Sequence, residues 1–410
     1  MNSIYYERNR NKLFLLFLII TLILLFQDIL QQYIPMLKWT DEIIGVCFIP
    51  ISFISAISVQ LKLYREEKVI LIAFILFIFI GLCSSFVNGY QDISATVSDL
   101  IIVTKFIGAY FFSRAFFCTL DMKKYTVIIK MVFRGITLLF FTLTVVDIVF
   151  NIFLKGDKRF IFNSEMLLFS HPTCMAAFCI TVLIYLTLVF EKKFIDYIFI
   201  TQIMFVCAST FRAKAIGLLL AYILLVPLIK NVKKINPSHI ILIAVLIFIV
   251  FMPQINSYYF SVEDSPRKIL TETGLEIAAR FFPIGAGFGT YGSYISGAVY
   301  SPLYYEYGLS HIWGFEKEDY FFISDTFWPM IIAQFGYLGL ILFLVIISKF
   351  LILISRLLKL KINYLFYALI PFTYLLISST SESSFVSYYS VNFFIMIGLA
   401  VNQIKINQDN

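Results

Sequence analysis

Several side chains that could bind an anionic ligand lie beside the ends of apolar runs. His171 lies near the start of one run, and Arg212 and Lys214 lie in a short turn between two others. Arginine presents a planar fork of N–H donors that matches phosphate oxygens, so these residues suit a phosphorylated ligand. For Lys158 and Arg159, contact with an anionic headgroup surface is an equal alternative. The candidates for this anion site are His171, Arg212, Lys214, Lys158, Arg159 and Arg280.

A glycine-rich stretch runs from Arg280 to Gly292 and contains Gly285, Gly287 and Gly289. Its glycine pattern invites comparison with a dinucleotide-binding loop, but no strand–helix unit surrounds it. We instead expect these glycines to let the backbone turn sharply and approach a ligand closely. The three histidines are isolated and the six cysteines lie in or beside apolar runs. The sequence therefore predicts no metal site, no cofactor and no disulfide framework.

Helices in a membrane must position these residues, because the composition excludes a water-soluble domain. The 410 residues are 60% hydrophobic and 14% charged, with a mean hydropathy of +0.89, whereas a soluble domain carries about 25% charged residues. Apolar runs of bilayer length, about 20 residues each, recur along the chain. The net charge of +7 is explained by membrane orientation rather than by nucleic-acid binding, since the basic residues lie in short loops. The predicted class is an all-α polytopic membrane protein.

The apolar runs predict about twelve transmembrane helices. They are expected at 12–30, 43–61, 69–87, 98–118, 130–151, 166–190, 194–211, 213–230, 238–253, 327–348, 363–379 and 388–404. Assigning 19 of the 32 basic residues to the loops on one side predicts that both termini are cytoplasmic, in the cytoplasmic (inner) membrane. The predicted parts are a membrane domain of 1–253 with helices one to nine, a large extracytoplasmic loop of 254–326, and a membrane domain of 327–410 with helices ten to twelve.

Segment 254–326 is the one long polar part of the chain. It contains eight of the 18 glycines, nine of the 25 tyrosines, and nine carboxylates against four basic residues. This aromatic content argues against disorder, and long loops in compact proteins are often functional. We expect an ordered lid with one or two short helices, such as Pro266–Phe281.

Three basic residues, Lys105, Arg114 and Arg134, interrupt the predicted spans. A charge inside the bilayer costs free energy, so each is a functional hypothesis by default. Arg114 and Arg134 lie near the predicted cytoplasmic ends of their spans, and we expect them to extend to that surface. Lys105 is left without a predicted role.

The order of the motifs around the lid resembles the O-antigen polymerase and O-antigen ligase superfamily. The stretch from Arg280 to Gly292 is similar to its "R…P.G.G.G.F" element, and the following helix carries the "G..G" pair as Gly336 and Gly339. The likeness covers residues 165–350. The fold that it implies is a GT-C-like membrane protein with one large outer loop between helices nine and ten.

Two further elements extend the resemblance, and one departs from it. Ser209-Thr-Phe-Arg212 stands in the place of the family's outer Ser-Arg element, and His171 followed by proline recurs in many of its polymerases. Ligases of the family carry a His-Asn pair where this chain has Ser324 and Asp325. The departure favours the polymerase branch (Wzy-type) over the ligases.

The resemblance implies a metal-independent glycosyltransferase that moves a glycan from undecaprenyl diphosphate to a sugar hydroxyl of another lipid-linked repeat unit. Fixed cations would neutralise the leaving diphosphate, and the hydroxyl would need a general base. The diphosphate candidates are Arg212, Arg280, Lys214 and Arg159. The candidate bases are Asp325, His311, His171 and Glu306. The aromatic candidates for stacking on sugars are Tyr291, Tyr304, Tyr305 and Trp313, with packing in the folded lid as the alternative.

Other functions stay open at this point. They are an O-antigen ligase, a transporter or flippase of lipid-linked saccharide, and a structural partner in an envelope complex. A transporter predicts cations distributed around the middle of the bilayer and internal repeat symmetry. The expected partners are undecaprenyl-diphosphate-linked oligosaccharides, the lipid bilayer, a chain-length regulator and a flippase, with no nucleic acid.

Overall fold

The computed structural model describes residues 2–47, 49, 50, 54, 57, 61–159, 162–231, 252, 256, 265–360 and 362–406. About 76% of it is helical, which confirms the all-α class. The helices are α1 (Asn2–Leu25), α2 (Gln27–Tyr33), α3 (Thr40–Glu42), α4 (Arg65–Asn88), α5 (Ile93–Phe116), α6 (Thr126–Phe150), α7 (Pro172–Leu188), α8 (Phe194–Ala208), α9 (Ala213–Asn231), α10 (Pro266–Arg280), α11 (Tyr294–Ala298), α12 (Pro302–Glu306), α13 (Trp328–Ser355), α14 (Ile362–Ser378) and α15 (Tyr388–Ile406). Strands β1 (Lys155–Arg159) and β2 (Phe162–Glu165) form an antiparallel hairpin between α6 and α7.

Several of these helices are long and apolar enough to cross a bilayer. Within the described ranges there are five, and α1 with α2, which meet at a bend of 68°, would make a sixth. The five are Arg65–Asn88, Ile93–Phe116, Met122–Phe150, Trp328–Leu358 and Tyr388–Ile406, and shorter apolar helices are Pro172–Leu188, Phe194–Ala208, Ala213–Ile223 and Ile362–Ser378. The chain is therefore a multi-pass membrane protein. The predicted number of twelve spans is not confirmed, since much of the second span and nearly all of the ninth lie outside the described residues.

Two helices at the centre of the bundle are buried on nearly every side. In α7 every residue except Cys174 is buried, and in α15 the buried stretch runs from Tyr389 to Ile404. The helix α15 packs against α5 and α14, while α13 packs against α4. Aromatic rings fill the contacts, as where Phe106 and Phe394 have ring centroids 4.9 Å apart. Helices surrounded by protein in this way form the frame that holds the ends of their neighbours in place.

Charged residues within the helices are paired rather than extended to a surface. The pairs are Lys105 with Asp41 (2.5 Å), Arg134 with Asp196 (2.5 Å) and Arg114 with Glu67. Arg114 is only 3% exposed, and its guanidinium also donates to the side chain of Asn402. The expectation that Arg114 extends to the surface is therefore wrong. A buried charge is tolerated when a partner of opposite sign and further hydrogen bonds compensate its lost hydration.

Residues 265–326, which we call the lid, cover the end of the bundle where α4 ends and α5 begins; we call this the lid end. The backbone N–H of Gly289 donates to Asp99 of α5 at 2.8 Å, and Gln91 donates to the carbonyl of Gly289 at 2.8 Å. From α4, Ser84 donates to the carbonyl of Gly285. These contacts attach the glycine-rich stretch to the membrane helices.

Gly285 and Gly287 bring the glycine-rich stretch into close contact with the backbones of α13 and α4. Ala286 N–H donates to the Ala333 carbonyl at 2.8 Å, beside a break in α13 where Gly336 has φ 64°. A Cβ added at Gly336 would lie 2.3 Å from the carbonyl oxygen of Pro283, and one added at Gly287 would lie 2.7 Å from the Ser85 backbone. Only glycine fits such close approaches with a positive φ.

Candidate functional site

A cavity of about 620 Å³ opens at the lid end of the bundle. Its walls come from parts of the chain that are far apart in sequence: the start of α7, the turn between α8 and α9, the start of α10, the end of the lid and the turn between α14 and α15. The charged and titratable side chains that matter most are His171, Arg212, Lys214, Arg267, Asp325 and Glu382. Ligand pockets measure roughly 300–1,000 Å³ and carry a few convergent polar groups. We call this space the cavity and treat it as the candidate active site.

Arg212 reaches the cavity from the tight turn between α8 and α9. Phe211 has φ 48°, a left-handed conformation that reverses the chain. The carbonyl of Arg212 then accepts hydrogen bonds from Ala215 and Ile216 and begins α9. The ring of Phe211 stacks on Phe162 of β2, with centroids 5.5 Å apart. A hairpin and two helix ends thus hold the Arg212 side chain, which is 8% exposed.

His171 caps the N-terminus of α7. The predicted span of 166–190 therefore begins later than expected, because Pro172 occupies the first helical turn, where its missing N–H has no cost. The Nδ1 atom of His171 accepts from the backbone N–H of Thr173 at 3.2 Å, and its Nε2 atom lies 3.3 Å from Nη2 of Arg212. Burial, followed by the charges of Arg212 and Lys214, lowers the pKa of His171 below its ordinary value. The ring is therefore neutral at neutral pH.

Asp325, at the end of the lid, pairs with Arg267 at the start of α10. Nη2 of Arg267 lies 3.0 Å from Oδ2 of Asp325, and 3.5 Å from the carbonyl oxygen of Ser381. Burial raises the pKa of Asp325 above its ordinary value, and the charge of Arg267 opposes that rise only in part. A carboxylate with a raised pKa is a stronger base, which suits proton abstraction near neutral pH.

Lys214 connects α9 to the turn between α14 and α15. Its Nζ atom lies 2.6 Å from Oε1 of Glu382, and the hydroxyl of Tyr389 donates to the same oxygen at 2.5 Å. The Lys214 side chain is 7% exposed and the Glu382 side chain 20%. This network forms one wall of the cavity.

The cavity combines three cations with three carboxylates and a histidine. The pairs are Arg212 with Asp157 (3.5 Å), Lys214 with Glu382 (2.6 Å) and Arg267 with Asp325 (3.0 Å). The Asp157 side chain is 72% exposed, so its long ion pair with Arg212 contributes little and an entering anion can replace it. The arrangement has groups that can bind a phosphorylated ligand and groups that can take a proton from a hydroxyl. A cluster of cations alone could bind a phosphorylated ligand but could not take a proton from a hydroxyl.

Four predicted site residues meet in the cavity: His171, Arg212, Lys214 and Asp325. Arg280 does not line it. Its guanidinium pairs with Glu306 at 2.5 Å and donates to the Tyr90 hydroxyl at 3.0 Å. The reason is the length of α10: Arg280 lies thirteen positions after Arg267, about 20 Å along the helix at 1.5 Å per residue.

Other predicted residues also lie elsewhere. His311 is exposed in a short 3-10 turn, Leu309–His311, and is not among the residues that line the cavity. The carboxylate of Glu306 forms an ion pair with the guanidinium of Arg280. The side chain of Arg159 lies outside the described residues, and Lys158 is exposed in β1.

The aromatic candidates divide into two buried and two exposed residues. Tyr291 and Tyr304 are 0% exposed. The Tyr291 hydroxyl donates to the Leu270 carbonyl at 3.0 Å, and the Tyr304 hydroxyl accepts from the Gly292 N–H at 2.9 Å. Both rings therefore belong to the lid core, and they cannot stack on a sugar. Tyr305 and Trp313 are exposed, so the structure leaves them accessible.

Three charged residues of the cavity were not among the sequence candidates: Asp157, Arg267 and Glu382. Arg267 follows Pro266 at the start of a helix and has no glycine motif beside it, unlike Arg280. Glu382 is the one carboxylate in the loop between the last two predicted spans. That isolated acid facing the predicted outer side was a usable signal.

A smaller cavity of about 280 Å³ lies at the opposite end of the bundle. Basic side chains dominate it: Arg10, Lys62, Arg114, Lys124 and Lys405. Among its described lining residues Asp121 is the one carboxylate, and it accepts from the backbone N–H of Lys123. Among the described residues that line this smaller cavity, there is no set of cations each paired with a lining carboxylate like that at the lid end.

No protein-family model matches the chain. No curated protein matches it either.

Proposed function

We propose that the protein is a glycosyltransferase of the cytoplasmic membrane that polymerises a bacterial surface polysaccharide, either O-antigen or capsule. The observation that carries this proposal is the cavity in which Arg212, Lys214 and Arg267 lie beside Asp325 and His171. The resemblance of the sequence motifs to the O-antigen polymerase superfamily supports the same reaction. The donor is a glycan on undecaprenyl diphosphate, and the acceptor is the sugar hydroxyl of a second lipid-linked unit.

The cations of the cavity stabilise the leaving diphosphate. As the bond from the anomeric carbon to the diphosphate oxygen breaks, its electron pair stays on that oxygen. Arg212 and Arg267 can each offer paired N–H donors to phosphate oxygens. Fixed positive charges in a partly buried site stabilise such developing charge without reorganisation. In this proposal the arginines supply the stabilisation that a metal ion supplies in other transferases.

Asp325 is the base that we favour for the acceptor hydroxyl. The hydroxyl oxygen bonds to the anomeric carbon, and its proton passes to the carboxylate. Burial raises the pKa of Asp325 and strengthens it as a base. Burial, together with the charges of Arg212 and Lys214, lowers the pKa of His171, so that ring accepts a proton less readily. We assign His171 to hydrogen bonding with the diphosphate.

The position of the cavity fits a substrate that stays in the bilayer. A lipid tail can lie along the apolar helices while the diphosphate and its sugars lie under the lid. We propose that the lid end faces the outside, as the distribution of basic residues predicts.

Reconstitution tests the proposal. The purified protein is placed in nanodiscs with the lipid-linked repeat units extracted from a host strain that lacks its polymerase. We expect a ladder of longer lipid-linked chains and release of one undecaprenyl diphosphate for each new glycosidic bond. Transfer of a single chain to lipid A without a ladder would instead identify a ligase. Movement of intact lipid-linked saccharide across a liposome membrane, with no new bond, would identify a transporter.

A further inference from the structure

A second opening of about 310 Å³ lies on the lid, next to the cavity. Its walls are Ser293, Tyr294, Glu318, Asp319, Tyr320 and Phe321, with Ile323 and Ser324. Phe321 lines both this opening and the cavity. The two spaces therefore meet at one aromatic ring. We call the second space the groove.

The segment that forms the groove also carries Asp325. The N–H of Phe322 donates to the Gly314 carbonyl at 3.1 Å, and the N–H of Asp325 donates to the Phe322 carbonyl at 3.0 Å. The hydroxyl of Tyr300 holds the same segment through the Phe315 carbonyl at 2.7 Å. The groove and the favoured base thus belong to one hydrogen-bonded unit of the lid.

The groove and the cavity differ in charge. In the part of the chain that the structure describes, no salt bridge involves Glu318 or Asp319, and both residues are exposed. The cavity, in contrast, contains Arg212, Lys214 and Arg267. Carboxylates repel a phosphate group but accept hydrogen bonds from hydroxyls. The groove is therefore suited to a different part of the substrate.

Aromatic rings complete the groove. The side chain of Phe321 is 47% exposed, and Trp313 beside it is 67% exposed, with ring centroids 5.1 Å apart. Tyr294, another lining residue, is 49% exposed, and its hydroxyl accepts from Nζ of Lys38 at 3.4 Å. Exposed rings that are fixed by neighbours give apolar contact area at low entropic cost. Rings with adjacent carboxylates match the apolar faces and hydroxyl edges of a sugar.

We propose that the groove is a saccharide subsite, which binds the glycan next to the sugar that reacts in the cavity. This inference rests on the proposed function and names its substrate class more closely. The sugars held in the groove are uncharged or carry amino groups, because Glu318 and Asp319 disfavour uronic acids and phosphorylated sugars.

Trp313 offers a binding signal that does not depend on catalysis. The chain has three tryptophans, so Trp39→Phe with Trp328→Phe leaves Trp313 as the reporter in detergent or nanodiscs. The probe is the oligosaccharide repeat released by mild acid from the host's lipid-linked precursor, which has lost its diphosphate. We expect a saturable change in Trp313 fluorescence.

Matched variants test where the saccharide binds. Glu318→Gln with Asp319→Asn removes the charges at nearly constant shape, and Phe321→Ala removes the shared ring. We expect each change to weaken binding by about tenfold, which corresponds to about 1.4 kcal/mol, because the first removes charged acceptors for sugar hydroxyls and the second removes apolar contact area. Phe282→Ala, an aromatic that is 70% exposed outside the groove, is the control and should bind as the parent does.

These measurements distinguish a failure of the polymerase proposal from a failure of the saccharide-subsite proposal. If the parent protein polymerises but the groove variants bind saccharide and build chains normally, the groove assignment is wrong and the polymerase stands. If the parent makes no polymer yet the probe binds and the groove variants lose that binding, the enzyme proposal fails and the subsite stands. An absence of any Trp313 response to the probe would overturn the subsite.

Discussion

The Nη2 atom of Arg212 lies 3.3 Å from the Nε2 atom of His171. The other ring nitrogen, Nδ1, lies 3.2 Å from the backbone N–H of Thr173. A neutral imidazole has one acceptor nitrogen, so only one of these contacts is a hydrogen bond at any moment. An anion that draws Arg212 away leaves Nδ1 to cap α7 and Nε2–H free to donate. We therefore expect ligand binding to change the tautomer of His171.

Arginine variants test the diphosphate site. We expect Arg212→Ala and Arg267→Ala to reduce polymerisation by about 100-fold or more, as removal of one stabilising donor does in other active sites. Arg212→Lys should also impair the reaction, since an ammonium lacks the two-pronged fork. Rates of ladder formation in nanodiscs at matched protein levels measure this.

Two basic residues on the same helix provide the controls. Lys268 is next to Arg267 but faces Glu272, and Arg280 pairs with Glu306 away from the cavity. Lys268→Ala and Arg280→Ala should keep nearly normal chain length. A loss with Arg280→Ala comparable to that of Arg267→Ala would favour the site expected from the sequence over the cavity.

The pH dependence tests Asp325 as the base. The reaction needs the carboxylate, so kcat/KM should fall on acidification with a midpoint above the ordinary pKa of 3.8, because burial raises the pKa of Asp325. Arg267 lowers that pKa. Arg267→Gln should therefore move the midpoint of the residual activity to higher pH.

Conservative variants distinguish Asp325 from His171 as the general base. Asp325→Asn should abolish the activity, while Asp325→Glu should retain part of it. His171→Gln should lower the rate but keep the acid midpoint of the parent. If the midpoint disappears in His171→Gln instead, the histidine is the base.

A double-mutant comparison tests the wall of the cavity. Lys214→Met leaves the carboxylate of Glu382 without its cation in a site where that side chain is 20% exposed. The free energy of unfolding should fall by about 3 kcal/mol, as when one partner of a buried pair is removed. Adding Glu382→Gln should restore most of the lost free energy of unfolding. Thermal unfolding in detergent measures both variants.

The exposed ion pair on α10 is the control for that measurement of stability. Lys268 and Glu272 are 4.0 Å apart, with side chains 32% and 62% exposed. Lys268→Met should change stability by about 0.5 kcal/mol or less. Equal losses from Lys214→Met and Lys268→Met would mean that the wall of the cavity is not held by its ion pair.

Labelling tests the orientation of the lid end. In a variant without the six native cysteines, Lys317→Cys in the lid should react with a membrane-impermeant maleimide in intact cells. Lys124→Cys, at the opposite end, should react only after permeabilisation. The reverse pattern would place the lid in the cytoplasm and contradict the proposed reaction at the outer surface.

Local sequence determined the class of the protein and part of its site. Long apolar runs are enough to indicate segments that are buried in lipid or protein. They predicted the correct positions of helices such as Arg65–Asn88 and Ile93–Phe116. Arg212 and His171 were also predictable, because a tight turn and a helix start are local features. Their position at the ends of neighbouring helices follows from short connections.

The tertiary structure alone decided the rest. Which arginine of α10 lines the cavity depends on how that helix packs, and the sequence favoured Arg280 over Arg267. Burial of Tyr291 and Tyr304 depends on the folding of the lid upon itself, and the role of Glu382 depends on its meeting with Lys214. Such contacts join residues tens to hundreds of positions apart. Because the packing of whole helices sets them, no local pattern of residue types contains them.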